Sequence, residues 1–246
     1  MPGLLSLTAI LALWFVLALL SDNPRAVPGP GAVWSELVAI AASGELWFHA
    51  GMTLFRVLAS FVLAMAVGLA LGLWMGRSRA ADHWLNPGLV IALNLPALVV
   101  IVLAYIWIGL NEVAAIVAVA LNKIPVVTVM LREGARALRP DLDDMAQAFR
   151  MTAPARLRHV VLPQLAPHVA AAARAGISLI WKIVLVVELL GRSNGVGFKI
   201  YLLFSSFDVA GVLAWALTFV AVMLAIDLAV LRPWEARANR WRRDAD

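Results

Sequence analysis

Six apolar runs, each about as long as a bilayer crossing, constrain this chain more than any other feature; they lie near residues 3–20, 51–76, 88–109, 113–131, 168–190 and 209–231. A hydrocarbon core about 30 Å thick is crossed by about 20 apolar residues in a helix, which satisfies its own backbone hydrogen bonds where water cannot. Hydrophobic residues make up 63% of the 246 and charged ones only 14%, which excludes an ordinary soluble domain. We therefore expect an all-α, polytopic membrane protein of about six transmembrane helices, with residues 1–246 forming a single membrane domain. The first run lacks the basic start and small-residue cleavage site of a signal peptide, so a retained helix is expected there. The Pro- and Gly-rich stretch after it reads as an external loop, followed by a short surface helix near 31–42.

One long polar interruption, residues 132–163, separates the fourth run from the fifth. Asp141 can cap a short helix whose first turn carries Asp143 and Asp144, where negative charge complements the exposed N–H groups. That helix should stop near Arg150. Thr152 is a second N-cap candidate, and Pro154 suits a first helical turn. Leu157, Val160 and Val161 then give the next helix an apolar stripe opposite Arg156, Arg158 and His159, before Pro163 closes it. Two short helices joined by a turn make a rigid knob that a soluble partner could push; a plain connecting loop is the alternative.

The net charge of +5 does not point to nucleic acid, because the arginines gather in loops beside apolar spans rather than on one soluble face. Arg77, Arg79, Arg132, Arg136, Arg139, Arg150, Arg156, Arg158, Arg232, Arg237, Arg240, Arg242 and Arg243 fall on one side, and Arg25, Arg192 and Lys199 on the other. The positive-inside rule then makes the polar loop and both termini cytoplasmic. Trp234 and Trp241 among the terminal arginines suit a short helix resting on the inner lipid leaflet.

Within the spans, Ala64, Gly68, Gly72 and Gly76 recur every four residues, the pattern that lets a second helix approach closely. Pro96 beside Asn94, and Pro125, interrupt two spans and leave carbonyls for a packed kink or a solute contact. Lys123 and Lys182 fall near mid-span, where a lysine costs about 2.5–3.5 kcal/mol, so each should find a carboxylate or line water. Candidate partners are Glu112, Glu188 and Asp227, with Arg56 competing for the first two; a structural ion pair and a cationic passage for an anion both remain open. With no cysteine, no metal-ligand spacing among His49, His83, His159 and His168, and no co-located nucleophile, neither a metal site nor a catalytic set is expected. GRSNGVGFK near 191 lacks the Gly-Lys-Ser/Thr ending of a phosphate loop, so any nucleotide binds another chain. A self-sufficient ion-coupled transporter with Lys123, Lys182, Glu188 and Asp227 as a relay is the rival reading.

The interruption resembles the cytoplasmic coupling-helix loop of ATP-binding-cassette (ABC) importer permeases, whose pattern is Glu-Ala-Ala, three residues, Gly, nine residues, Ile-x-Leu-Pro. Asp144, Met145 and Ala146 take the acidic start, Gln147 to Phe149 are the spacers, Arg150 takes the Gly position, and Val160 to Pro163 end it without a gap. A non-Gly residue at a left-handed turn costs about 1–2 kcal/mol. Residues 42–58, the Pro96 region ending in Trp107-Ile108-Gly109, and 181–198 are similar to the type I, binding-protein-dependent nitrate, sulfonate and taurine branch, especially aliphatic-sulfonate permeases. Arg56, Pro96, Gly109, Pro125, Glu188, Gly195 and Gly197 match that branch; Lys123 and Lys182 depart from it.

The resemblance implies a permease subunit, not an enzyme, of an importer in a bacterial-type inner membrane; its substrate is not carried over, and the expectation of a small anionic organic solute rests on Lys123 and Lys182. Its implied partners are two ABC ATPase subunits carrying ATP and Mg, a second permease copy forming a homodimer, an external solute-binding protein and membrane lipid; this chain itself would bind no cofactor. Asp144, Met145, Ala146, Gln147, Arg150, Met151, Thr152, Leu157 and Pro163 are the implied ATPase-coupling residues, and Asn94, Lys123, Lys182 and Glu188 the candidate solute path.

Overall fold

A computed structural model describes residues 2–21 and 23–233, and among these there is no β-strand. The helices are α1 (Pro2–Leu20), α2 (Pro30–Ala42), α3 (Glu45–Arg77), α4 (Arg79–Asn94), α5 (Ala97–Ile108), α6 (Glu112–Arg136), α7 (Pro140–Ala148), α8 (Ala153–Arg156), α9 (Leu162–Gly191), α10 (Val196–Ser205) and α11 (Val209–Ile226). Single π-helical turns, Leu157–Val161 and Asp227–Leu231, follow α8 and α11. The inner-leaflet helix expected around Trp234 and Trp241 lies outside the described residues.

Among the described residues, four helical segments are long and apolar enough to cross a membrane: 45–77, 112–136, 153–191 and 209–230. A fifth is reached by counting α4 and α5 as one span, and the apolar run Thr8–Leu20 in α1 is shorter than a full crossing. The expected third span, 88–109, is therefore corrected: α4 and α5 meet at a bend of 99°. Leu95 precedes Pro96, whose ring clashes with a helical residue before it; Leu95 is accordingly extended, at φ −70 and ψ 126, and Pro96 becomes the N-cap of α5. Pro125, by contrast, sits buried inside an unbroken α6.

The chain divides into two compact units, and the division falls within α3, α9 and α11. The first comprises Met1–Phe55 and Leu185–Ala225. Here Trp14 donates from Nε1 to the Pro28 carbonyl at 3.1 Å, pinning the Pro/Gly-rich loop against α1. Val196 and Trp215 are almost wholly buried, and His49 lies edge-on to Trp215 with ring centroids 5.6 Å apart.

The second unit comprises Arg56–Val184 and Ile226–Asp246. Its spine is α3 against α6, running parallel with the small-residue stripe between them. A Cβ built on Gly68 would lie 2.5 Å from Val127, on Gly72 2.8 Å from Leu131, and on Gly76 2.5 Å from Ala135. Only glycine permits that approach, which is what the four-residue spacing anticipates. One turn beyond Ala64, Ser60 donates to the Ile116 carbonyl, and Arg56 meets Glu112 through two hydrogen bonds of 2.8 and 2.7 Å. Val169 and Ala172 of α9 pack on Val127 and Leu131, and Leu165 packs with Ala135 and Val161.

Candidate functional site

The polar interruption is shorter than its sequence suggests, because α6 runs on to Arg136 and the chain is continuously helical from Ala153 into α9. Two local expectations, on Asp141 and Pro163, are corrected, and one, on Thr152, is met in position. Asp141 does not cap α7: the N-cap is Arg139, with Pro140 in the first turn, and the Asp141 carboxylate accepts from the Arg139 guanidinium instead. Thr152 holds the N-cap position of α8 by backbone geometry, without a side-chain cap. Pro163 does not close the helix, because the π turn just before it widens the backbone where the proline ring would otherwise meet the preceding turn.

α7 ends in a Schellman motif. The Met151 N–H donates to the Ala146 carbonyl and the Arg150 N–H to that of Gln147, each at 2.9 Å. This pairing requires a left-handed residue at position 150, and Arg150 has φ +50. Its side chain is exposed and makes no ion pair among the described residues.

Asp143, which sequence reading placed only as a helix-start charge, is the organising group. Its carboxylate accepts from Arg77 Nη2 at 2.8 Å, from Arg156 Nε at 3.0 Å and from Arg156 Nη2 at 2.6 Å. One acid thus ties α7 to α8 and both to the end of α3. The hydrogen bonding from Arg156, helped by the Arg77 charge and opposed by partial burial, holds the Asp143 carboxyl below the ordinary carboxylate range. Gln164 adds a second anchor, accepting from the Arg139 N–H at 3.0 Å while donating to the Val160 carbonyl at 2.9 Å. Nothing local in the sequence marks either role, since Arg77 and Gln164 are far from α7 along the chain.

On this fixed frame the predicted coupling residues separate. Ala146 is 1% exposed and is a packing residue rather than part of an outer face. Met145 and Leu157 are 41% and 44% exposed, Asp144 and Gln147 are exposed, and Met151 is half-buried. Phe149, which sequence reading passed over as a spacer, is 77% exposed. Beside them a groove of about 440 Å³ is lined by Arg77, Arg136, Leu138, Asp143, Asp144 and Gln147. Its neighbourhood is stiffened by Asp82, which accepts from Arg132 at 3.1 Å and from Arg136 at 2.6 Å.

The candidate path residues have separate local surroundings. Asn94 is exposed at the end of α4 and donates to the Val90 carbonyl at 2.8 Å. Lys123 is 4% exposed and Lys182 is exposed, and neither makes a hydrogen bond or ion pair with any described residue. Asp227, a proposed relay member, is held by Arg232 at 2.9 Å. In the first unit Glu188 is fully buried; one oxygen accepts from the Thr53 hydroxyl at 2.9 Å and from the Gly197 N–H at 2.8 Å, at the start of α10. Thr53 in turn accepts from the Val196 N–H, and His49 Nδ1 accepts from the Gly195 N–H at 3.0 Å. Gly195 has φ +108, and a Cβ there would lie 2.3 Å from the Glu188 carboxyl carbon. Glu188 is thus an anchor for the α9–α10 turn, its charge seated on a helix N-terminus.

A multi-span helical protein carrying a polar two-helix loop braced against its spans is the architecture of a membrane permease. The sequence matches the family described as binding-protein-dependent transport system inner membrane component over residues 64–232, and the chain belongs to it. It is 29% identical, over 81% of its length and 73% of the relative's, to SsuC of Bacillus subtilis, named as an aliphatic sulfonates transport permease protein. SsuC of Escherichia coli, under the same name, is 30% identical over 72% of this chain and 67% of its own. The taurine transport system permease protein TauC of Escherichia coli is 25% identical over 95% and 90%. Among solved structures, a chain of the MetNI methionine ABC transporter superposes with a TM-score of 0.61 at 18% identity, covering 77% of this chain and 94% of that one, which establishes the fold. Permease subunits of this kind are not enzymes; ATP hydrolysis belongs to a separate subunit.

Proposed function

We propose that this chain is the inner-membrane permease of an ATP-driven importer of sulfonate- or taurine-type solutes, coupled to its ATPase through the surface formed by α7 and the Leu157 turn. The observation that carries the coupling assignment is the contrast within the loop. Its backbone is fixed by Asp143, Gln164 and the Schellman turn, yet Met145, Phe149 and Leu157 stay exposed on it. Large apolar groups held out on a rigid frame are suited to insertion into a groove of a partner, where well-buried anchors contribute about 2 kcal/mol or more each.

The arginines around this loop support a cytoplasmic loop and cytoplasmic termini under the positive-inside rule. The working assembly in this reading is two permease copies, two ATPases carrying ATP and Mg, and an external solute-binding protein. ATP binding draws the two loops together. Because Asp143 links each loop to the end of α3, the movement passes to a span rather than dissipating in a hinge.

The test is co-purification of the ATPase with Met145→Asp and Leu157→Asp variants. Retention of ATPase should fall about 30-fold for each, converting about 2 kcal/mol, with thermal unfolding of the spans unchanged. Full retention in both would remove the assignment.

A further inference from the structure

Where α3 ends and α4 begins, a recess of about 420 Å³ is lined by Arg77, Arg79, Asp82 and His83, together with Arg136 of α6. It shares Arg77 and Arg136 with the groove beside α7, but has Arg79, Asp82 and His83 in place of that groove's α7 residues. Its charges are unequally engaged. Arg77 donates from Nη2 to Asp143, and Arg136 donates from Nη1 to Glu133 and from Nη2 to Asp82. Asp82, the acid of the lining, accepts from Arg132 on one oxygen and from Arg136 on the other. Arg79 makes no hydrogen bond or ion pair with any described residue. A guanidinium carries five N–H donors, so all three lining arginines keep donors for an oxyanion, and the Arg79 charge is uncompensated.

The level of the recess narrows what that oxyanion belongs to. Arg77 is the last residue of the span 45–77, so the recess lies where hydrocarbon gives way to headgroups. Trp74 and Trp84, each next in sequence to a lining residue, are 58% and 81% exposed, as tryptophans of an interfacial belt are. An exposed apolar track leads away from each. Trp74, Ala70 and Ala66 follow one another every four residues along α3, and Trp84, Gly88 and Ile91 share one face of α4. A soluble oxyanion would use the arginines and leave both tracks uncovered. An acidic surface of the ATPase would have to meet the two tryptophans at the height of the lipid headgroups. A molecule with a phosphate at one end and acyl chains at the other matches the arginines and the tracks together.

We infer that this recess holds the phosphate of an anionic phospholipid, bound by Arg79 with spare donors of Arg77 and Arg136, while its chains lie along the exposed faces of α3 and α4. The inference needs only that the chain is a membrane protein and stands apart from the choice of transported solute. Because Arg77 also holds Asp143, the headgroup and the α7 clamp share one guanidinium. In the sequence Arg79 counted only towards orientation; its closeness to Arg136, 57 residues on, comes from the packing of α3 against α6.

The full chain in mixed micelles is titrated with phosphatidylglycerol carrying brominated chains, which quench tryptophan fluorescence, and with brominated phosphatidylcholine as the neutral-headgroup control. Phosphatidylglycerol should half-saturate at a concentration at least about fivefold lower, and Trp84→Phe should remove part of that selective quenching. Arg79→Gln should weaken phosphatidylglycerol about fivefold, converting about 1 kcal/mol for one basic group at an anionic headgroup. Arg79→Lys, which keeps the charge, should keep the preference, as should Arg25→Gln in the other unit; thermal unfolding of all three should match wild type. Inorganic phosphate, at ionic strength matched with chloride, should not displace the lipid. Equal half-saturation by the two lipids, or a preference that survives Arg79→Gln, overturns the site. Displacement by phosphate makes the ligand a soluble oxyanion and overturns the lipid assignment. Loss of co-purified ATPase in Arg79→Gln without any lipid preference in wild type assigns the recess to the ATPase interface and overturns it as well.

Discussion

Replacing Arg150 by glycine should strengthen the turn between α7 and α8. Arg150 sits at φ +50 because the Schellman pairing of Met151 with Ala146, and of Arg150 with Gln147, demands it. A side chain in that region costs about 1–2 kcal/mol, and glycine removes the cost while adding about 0.4–1 kcal/mol of unfolded-chain entropy. The net gain is about 1 kcal/mol, or about fivefold in the local opening equilibrium. Amide hydrogen exchange of the protein in lipid nanodiscs reads this directly, since Arg150 and Met151 are the two donors and their protection reports local opening. Exchange at both should slow about fivefold in Arg150→Gly and stay unchanged in Arg150→Ala, which retains the Cβ. Unchanged or faster exchange in the glycine variant would refute the strain argument. The guanidinium itself is exposed and unpaired among the described residues, so it is available to an acid on the ATPase. Co-purified ATPase should then fall in both variants, separating the contribution of charge from that of the backbone.

Gly72→Leu should force α3 and α6 apart, since even a Cβ would lie 2.9 Å from the Thr128 carbonyl, and should lower thermal stability in detergent by about 1–3 kcal/mol; Gly51→Ala, with open space around it, should not. Glu188→Gln replaces a fully buried carboxylate that accepts from Thr53 and Gly197, and the mismatched amide should cost about 1–3 kcal/mol, read as faster proteolysis around residues 192–197. The Asp143 clamp should be pH-sensitive in one direction only. Its folded pKa is depressed, so its stabilisation is complete above the unfolded value of about 3.9 and is lost as pH falls through the lower folded value, with exchange in α8 accelerating only in that acidic window. Asp143→Asn should show the loosened state already at neutral pH. The loss should be modest, about 0.2–1 kcal/mol per ion pair, because the partners are partly exposed.

Hydropathy, charge bias and spacing are local properties, and they determined what local properties can. The apolar runs required helices in a bilayer; the four-residue recurrence of Ala64, Gly68, Gly72 and Gly76 required a close helix neighbour; and the loop register put the left-handed turn at Arg150. The sequence could not say which helix would fill the glycine stripe, and α6 does so through Val127, Leu131 and Ala135. Nor could it find the role of Asp143, because the guanidinium it needs, on Arg77, is 66 residues away and becomes a neighbour only when α3 and α7 are in place. Pro96 announced a break, but the 99° turn between α4 and α5 depends on the helices they rest against as well as on the proline. The two lysines look alike in sequence, each a lone cation in an apolar span. Packing alone made Lys123 buried and Lys182 exposed, because helix rotation about its own axis is set by what docks on the other faces.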